Sequence, residues 1–236
     1  MKHTKRVYKP FISCTNYTRL FLNNISWKPF FPFLCKKRSY LKKAEATRLN
    51  ILQKSFELIY TKGYQTTSLD DILATTGVTK GAFYYHFKNK DEMGVAIIEE
   101  LLKPTFEATF MQSLQSAGDA LTIIYDMMYN VLMKNDFMKV AYGCPAANFT
   151  QEMAPWHNDF TRVLNELSDD WKNAIITCIK NGKKNGSVRA DVKPEPVALF
   201  IMSGYWGIRN IGKLTNSKAV YLTYLKQLKD YLNTLK

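Results

Sequence analysis

The sequence has few of the residues from which covalent staples and metal sites are built. It holds four cysteines and three histidines, and Cys14, Cys35, Cys144 and Cys178 are too scattered for a CxxC pair or a zinc-ligand spacing. Reduced thiols and no metal are expected. A chain of 236 residues with 46% hydrophobic residues can bury a core without disulfides. An unbroken apolar run of bilayer length is also missing, because Asn23, Asn24, Trp27, Lys28, Pro29 and Pro32 interrupt the stretch from Leu20 to Leu34. No small-residue cleavage site follows it, so a cytoplasmic protein without membrane association is expected. No phosphate-cradling glycine loop, nucleophile–base pattern or metal constellation supports an enzyme or a bound cofactor.

Acidic residues are absent from one whole segment. Residues 1–43 carry 11 Lys or Arg and no Asp or Glu, so only +2 of the net charge of +13 belongs to the remaining chain. This aromatic, proline-containing segment reads as a flexible arm whose phosphate contacts would weaken steeply with salt. One alternative for the protein is therefore effector-independent DNA binding through the arm.

Strand-like alternation with hairpin turns is lacking as well, and the chain reads as all-α. Ile51, Leu52, Ser55, Phe56, Leu58 and Ile59 recur at helical spacing up to a stop at Gly63. Ser68 to Asp71 has the [ST]xx[DE] capping pattern of a second short helix ending at Gly77. A third runs from about Thr79 to His86, and Asn89, with Glu92 three residues on, opens a fourth. Pro104 is expected to kink or end that fourth helix.

Two short helices joined by a tight turn, with the second free to enter a major groove about 12 Å wide, make a helix-turn-helix. Ile72, Leu73 and Val78 pack the pair together and Gly77 permits the turn. Phe83 and Phe87, four apart, anchor the second helix. Its opposite surface then offers Lys80, Gly81, Ala82, Tyr84, Tyr85 and His86 to DNA, although a plain surface aromatic cluster would look the same. Lys90 adds a charge, and Thr66 and Thr67 add hydroxyls and backbone amides. Residues 44–92 carry six basic and six acidic side chains, so affinity must come from placement and dimerisation rather than bulk charge.

With these residues in place, 48–92 resembles the DNA-binding domain of the TetR family of repressors. The resemblance rests on Arg48, Ile51-Leu52, Leu58, Gly63-Tyr64, Thr66-Thr67, Ile72, Gly77-Val78-Thr79-Lys80-Gly81, Phe83-Tyr84-Tyr85-His86-Phe87, Lys90 and Glu92. It adds Arg48 and Thr79 to the DNA-binding candidates. It implies a homodimer on a palindromic operator, released when a small-molecule effector binds the C-terminal domain. Tyr142-Gly143-Cys144-Pro145 followed by Asn148 to Glu152 resembles a segment in one branch of the family. Lys54 departs from the pattern, standing where a small residue is usual, and is expected to loosen the first helix slightly.

The implied organisation is a basic arm (1–43), a three-helix DNA-binding domain (44–92) and a helical effector-binding and dimerisation domain (93–236). For the effector pocket the sequence suggests Met111, Tyr125, Met128, Tyr129, Tyr142, Cys144, Trp156, Met202 and Trp206, adaptable apolar side chains that plain core packing explains equally well. The last two helices, about Pro196–Lys213 and Lys218–Leu235, would form the dimer interface through Phe200, Tyr205, Tyr221, Tyr224, Leu225, Leu228 and Leu232.

Overall fold

Side chains that satisfy orphan backbone groups set the helix ends of the N-terminal head. The computed structural model describes residues 43–236, so most of the basic arm, with Cys14 and Cys35, lies outside the described residues. Helix α1 (Lys43–Lys62) stops at Gly63, whose φ of 99° is left-handed backbone that other residues rarely adopt. Helix α2 (Leu69–Thr76) begins with a reciprocal capping box between Ser68 and Asp71 and ends at left-handed Gly77. Thr79 caps α3 (Lys80–His86) by accepting from the Ala82 amide. Asn89 caps α4 (Lys90–Ile97) by accepting from Glu92 N–H. The Glu92 carboxylate reaches the amide of Lys88, one residue earlier than a capping box requires.

Ile51, Leu52, Phe56, Ile72, Phe83, Phe87, Met93 and Ile97 form the buried centre of this head. Lys54 does not loosen it. Its ammonium donates to the Thr75 carbonyl at 3.3 Å and pins α1 to the end of α2.

Of the two outcomes expected at Pro104, a kink or an end, the end does not occur. Residues 98–102 form a π-turn in which the Lys103 amide reaches back to the Ile98 carbonyl, and the rod continues through α5 (Lys103–Phe106) to Met111. A wider turn removes the clash that a proline ring makes with the carbonyl four residues earlier, so the helix passes a residue that would otherwise break it. The boundary placed at 92/93 falls inside α4, and head and body share this rod.

The body is built around the long amphipathic α8 (Asn158–Asn185), which packs against α6 (Ala120–Tyr129), α7 (Pro145–Met153) and α9 (Pro194–Thr215). Helix α10 (Ala219–Asn233) lies along α6 and α9. Two glycines of α9 make that last packing possible: the Tyr224 ring sits over Gly204 and the Tyr221 ring over Gly212. All regular elements among the described residues are helical, and none is long and apolar enough to cross a membrane.

Head meets body where Gly94 faces Tyr64 and Phe160. A Cβ there would lie 2.6 Å from the Phe160 ring and 2.7 Å from the Tyr64 ring. Gly94→Ala should therefore cost about 1–3 kcal/mol, seen as a fall of several degrees in thermal melting. An unchanged melting temperature would contradict this packing.

Candidate DNA-binding surface and effector pocket

Helix α3 is held from beneath and open above. Phe83 and Phe87 are essentially inaccessible, while Tyr84 is 46% and Tyr85 77% exposed. Lys80 and Gly81 are exposed beside them, Ala82 and His86 are half-buried, and no atom lies within 4 Å of where a Gly81 Cβ would be. Burial, and secondarily Arg48, lowers the His86 pKa below its ordinary value, which favours the neutral imidazole in the free protein. Lys88, which the sequence reading passed over, is exposed just beyond the helix.

Three residues expected at DNA are committed elsewhere. Arg48 donates to the His86 carbonyl at 2.9 Å, pairs with Glu100 at 2.6 Å and stacks 4.3 Å over the Phe87 ring. It braces the end of α3 against α1 and the rod. Lys90 donates to the carbonyls of Tyr64 and Thr67, both at 3.0 Å, and lies over the Tyr64 ring. Thr67 is fully buried and its hydroxyl donates to the Gly63 carbonyl. Thr66 remains exposed, with its hydroxyl bonded to the Lys62 carbonyl, and the Thr79 oxygen is engaged as the α3 cap. These groups hold the surface in shape.

A cavity of about 270 Å³ opens between α7 and α9, lined among others by Cys144, Asn148, Gln151, Trp206, Arg209 and Lys213. Trp206 and Thr150 also border a smaller chamber of about 80 Å³, walled by Phe106, Leu164 and Trp171. Of the nine residues proposed for a pocket, Cys144 and Trp206 line the cavity. Met111 borders a separate groove between the rod and α8. Met128 and Met202 are core residues with at most 2% exposure, and Trp156 is 79% exposed. Tyr125 and Tyr129 stack on one another, and Tyr142 packs edge-on against Tyr60. The methionine-rich pattern marked core; the cavity is walled largely by small and polar residues that a search for apolar side chains overlooks. Burial pushes the Cys144 thiol up, so it stays protonated and is no activated nucleophile.

Arg209, which sequence reasoning missed, is 1% exposed. Its guanidinium donates to the carbonyls of Met138, Lys139 and Gly143 and to the Tyr221 hydroxyl. The Tyr60 hydroxyl of α1 donates to the same Gly143 carbonyl at 2.6 Å. At the other end of α7, Glu152 accepts from the Gln65 backbone amide at 2.8 Å through its carboxylate and from the Gln65 side chain at 2.7 Å through its carbonyl.

The residues expected at a dimer interface need revision. Tyr205, Tyr221, Leu225, Leu228 and Leu232 are buried inside the protomer, and Tyr224 is half-buried in its glycine notch. Of the seven, Phe200 is exposed, and Leu199, Ile211, Leu214 and Leu222 are exposed on the same two helices. The phase of these positions along α9 was available in the sequence. Side-chain size drew attention to the opposite face.

The model of bacterial regulatory proteins of the tetR family matches residues 51–97, and that of the tetracyclin repressor-like C-terminal domain matches residues 119–228. The HTH-type transcriptional regulator TtgR of Pseudomonas putida is 38% identical over 167 residues, 68% of this chain and 77% of that protein. The HTH-type transcriptional repressor DhaR of a Mycobacterium species is 25% identical over 161 residues, 68% of this chain and 79% of that one. A crystal structure of a TetR-family regulator from Cytophaga hutchinsonii superposes with a TM-score of 0.73 at 25% identity, covering 83% of this chain and 98% of that one. An anchored α3 under an open polar surface, a helical body and these likenesses agree: the chain belongs to the TetR family of helix-turn-helix transcriptional regulators.

Proposed function

We propose that the protein is a cytoplasmic homodimeric repressor whose two α3 helices enter successive major grooves of a palindromic operator, and that a small molecule bound between α7 and α9 releases it. Lys80, Gly81, Ala82, Tyr84, Tyr85 and His86 make the DNA contacts, with Lys88 at the margin. Phe200, Ile211, Leu214 and Leu222 meet their symmetry mates, since a repeated apolar stripe on two neighbouring helices suits an isologous contact.

The observation that carries this reading is the position of α7. Residues from Ala147 to Gln151 of this nine-residue helix line the cavity and the next residue, Glu152, grips the head at Gln65, so one short helix joins an effector site to the DNA-binding head. A ligand that moves α7 shifts the orientation of α3, to the extent that it binds the two states with different affinity.

Lys80→Ala should weaken operator binding by about 1 kcal/mol and lower the dependence of log affinity on log salt by about one unit, read by fluorescence anisotropy across a salt series. An unaltered salt slope would remove Lys80 from the phosphate contacts. Deleting residues 1–40 should leave sequence preference intact, whereas its loss would favour binding through the basic arm. Tyr60→Phe removes one hydrogen bond to Gly143 and leaves those of Arg209. It should keep operator affinity while reducing effector-induced release about fivefold, and full release would show that Tyr60 carries no signal.

A further inference from the structure

The cavity between α7 and α9 has donors to spare. Arg209 is buried, yet among the described residues no carboxylate pairs with it; its partners are three backbone carbonyls and a tyrosine hydroxyl. Its Nε atom is buried without any hydrogen-bond partner. Lys213, a second cation, stands at the exposed edge of the same cavity, 3.5 Å from the Asn148 side-chain oxygen. Helix α7 begins here, and its N-terminal amides add partial positive charge. In the adjoining apolar chamber, Trp171 Nε1 is also buried with no acceptor.

The two buried side-chain atoms left without a partner at this place, Arg209 Nε and Trp171 Nε1, are both donors, and the two formal charges lining the cavity, Arg209 and Lys213, are both positive. A buried cation without a counter-charge is costly, and a ligand that brings the anion recovers that cost on binding. Apolar surface lies beside these polar groups: Trp206 and Ala147 line part of the cavity, and Phe106, Leu164 and Leu167 line part of the chamber that shares Trp206. The volume, about 270 Å³, lies just below the roughly 300–1,000 Å³ of drug-sized ligand pockets, which calls for a small ligand.

Resting on the reading of this cavity as the effector site, we propose that the effector is a small amphiphilic monocarboxylate. Its anionic head lies against Arg209, Lys213 and the start of α7, and its apolar body turns towards Trp206 and the inner chamber. Neutral and cationic compounds of the same size are discriminated against, because they leave the donors unpaired.

The test uses the full chain and two matched pairs of probes, benzoate with benzamide and hexanoate with hexanamide, titrated by calorimetry and in operator-release assays. The acids should bind at least about tenfold more tightly than their amides, the amount expected from one charge-assisted hydrogen bond. Lys213→Gln, a change at an exposed position, should narrow that ratio severalfold within a folded protein. Ala147→Trp should fill the cavity and abolish probe binding. Equal binding of acid and amide, or binding of neither pair, overturns the monocarboxylate assignment. If acid and amide bind the unmodified protein equally and Ala147→Trp blocks both, the cavity stands as the effector site and only the ligand class falls. If a probe still binds and releases DNA after Ala147→Trp, the effector site lies elsewhere and both readings fall.

Discussion

The carbonyl of Gly143 is shared by two donors from opposite parts of the protein. Tyr60 reaches it from α1 of the head, and Arg209 reaches it from α9 of the body while also holding Tyr221 of α10. Gly143 has a φ of 70°, a conformation open chiefly to glycine, and this turns the carbonyl-bearing loop towards both donors before α7 begins. A buried guanidinium is tolerated because four acceptors surround it, and removing any one leaves a polar group without water or partner. The head's first helix, the cavity wall and the helix pair that presents the exposed apolar stripe are thereby tied at one point.

That junction joins head and body through two kinds of contact. Phe56 and Tyr60 stack with Phe137 on the apolar side of the junction, while Tyr64 packs against Phe149 of α7 and Phe160 of α8. The head is thus clamped by aromatic packing that is strong and non-directional, and steered by a few directional hydrogen bonds at Gly143 and Gln65. Under the proposed mechanism, a ligand would act on the latter, and small shifts would become discrete because packed interfaces have few alternative arrangements.

Most of the head could be read from the sequence. Ser68, Gly77, Thr79 and Asn89 are local signals, and the i to i+4 spacing of Phe83 and Phe87 fixed which face of α3 was buried. What sequence spacing could not supply was the use of polar side chains at long range. Arg48 and Lys90 look like phosphate ligands in a DNA-binding segment, yet their partners, Glu100 and the Tyr64 and Thr67 carbonyls, meet them only through tertiary packing. The same holds for Arg209, one basic residue among hydrophobic neighbours whose acceptors lie some 70 positions earlier. In the body, methionines and tyrosines were drawn to the core by their apolar area, and the cavity was left to glycine, alanine, asparagine and two cations. The π-turn before Pro104 has no local sequence signature, so spacing alone did not decide between a kink and an end at that proline.

The account turns on whether Tyr60 and Tyr221, which sit on α1 and α10, act as one unit through Arg209. A double-mutant cycle of Tyr60→Phe and Tyr221→Phe, with unfolding free energies measured at fixed protomer concentration, addresses this directly. The Gly143 carbonyl shared by Tyr60 and Arg209, with Tyr221 on the same guanidinium, predicts a coupling energy of at least about 0.5 kcal/mol between the two hydroxyls. Additivity within about 0.3 kcal/mol would show that head and body are joined without this node.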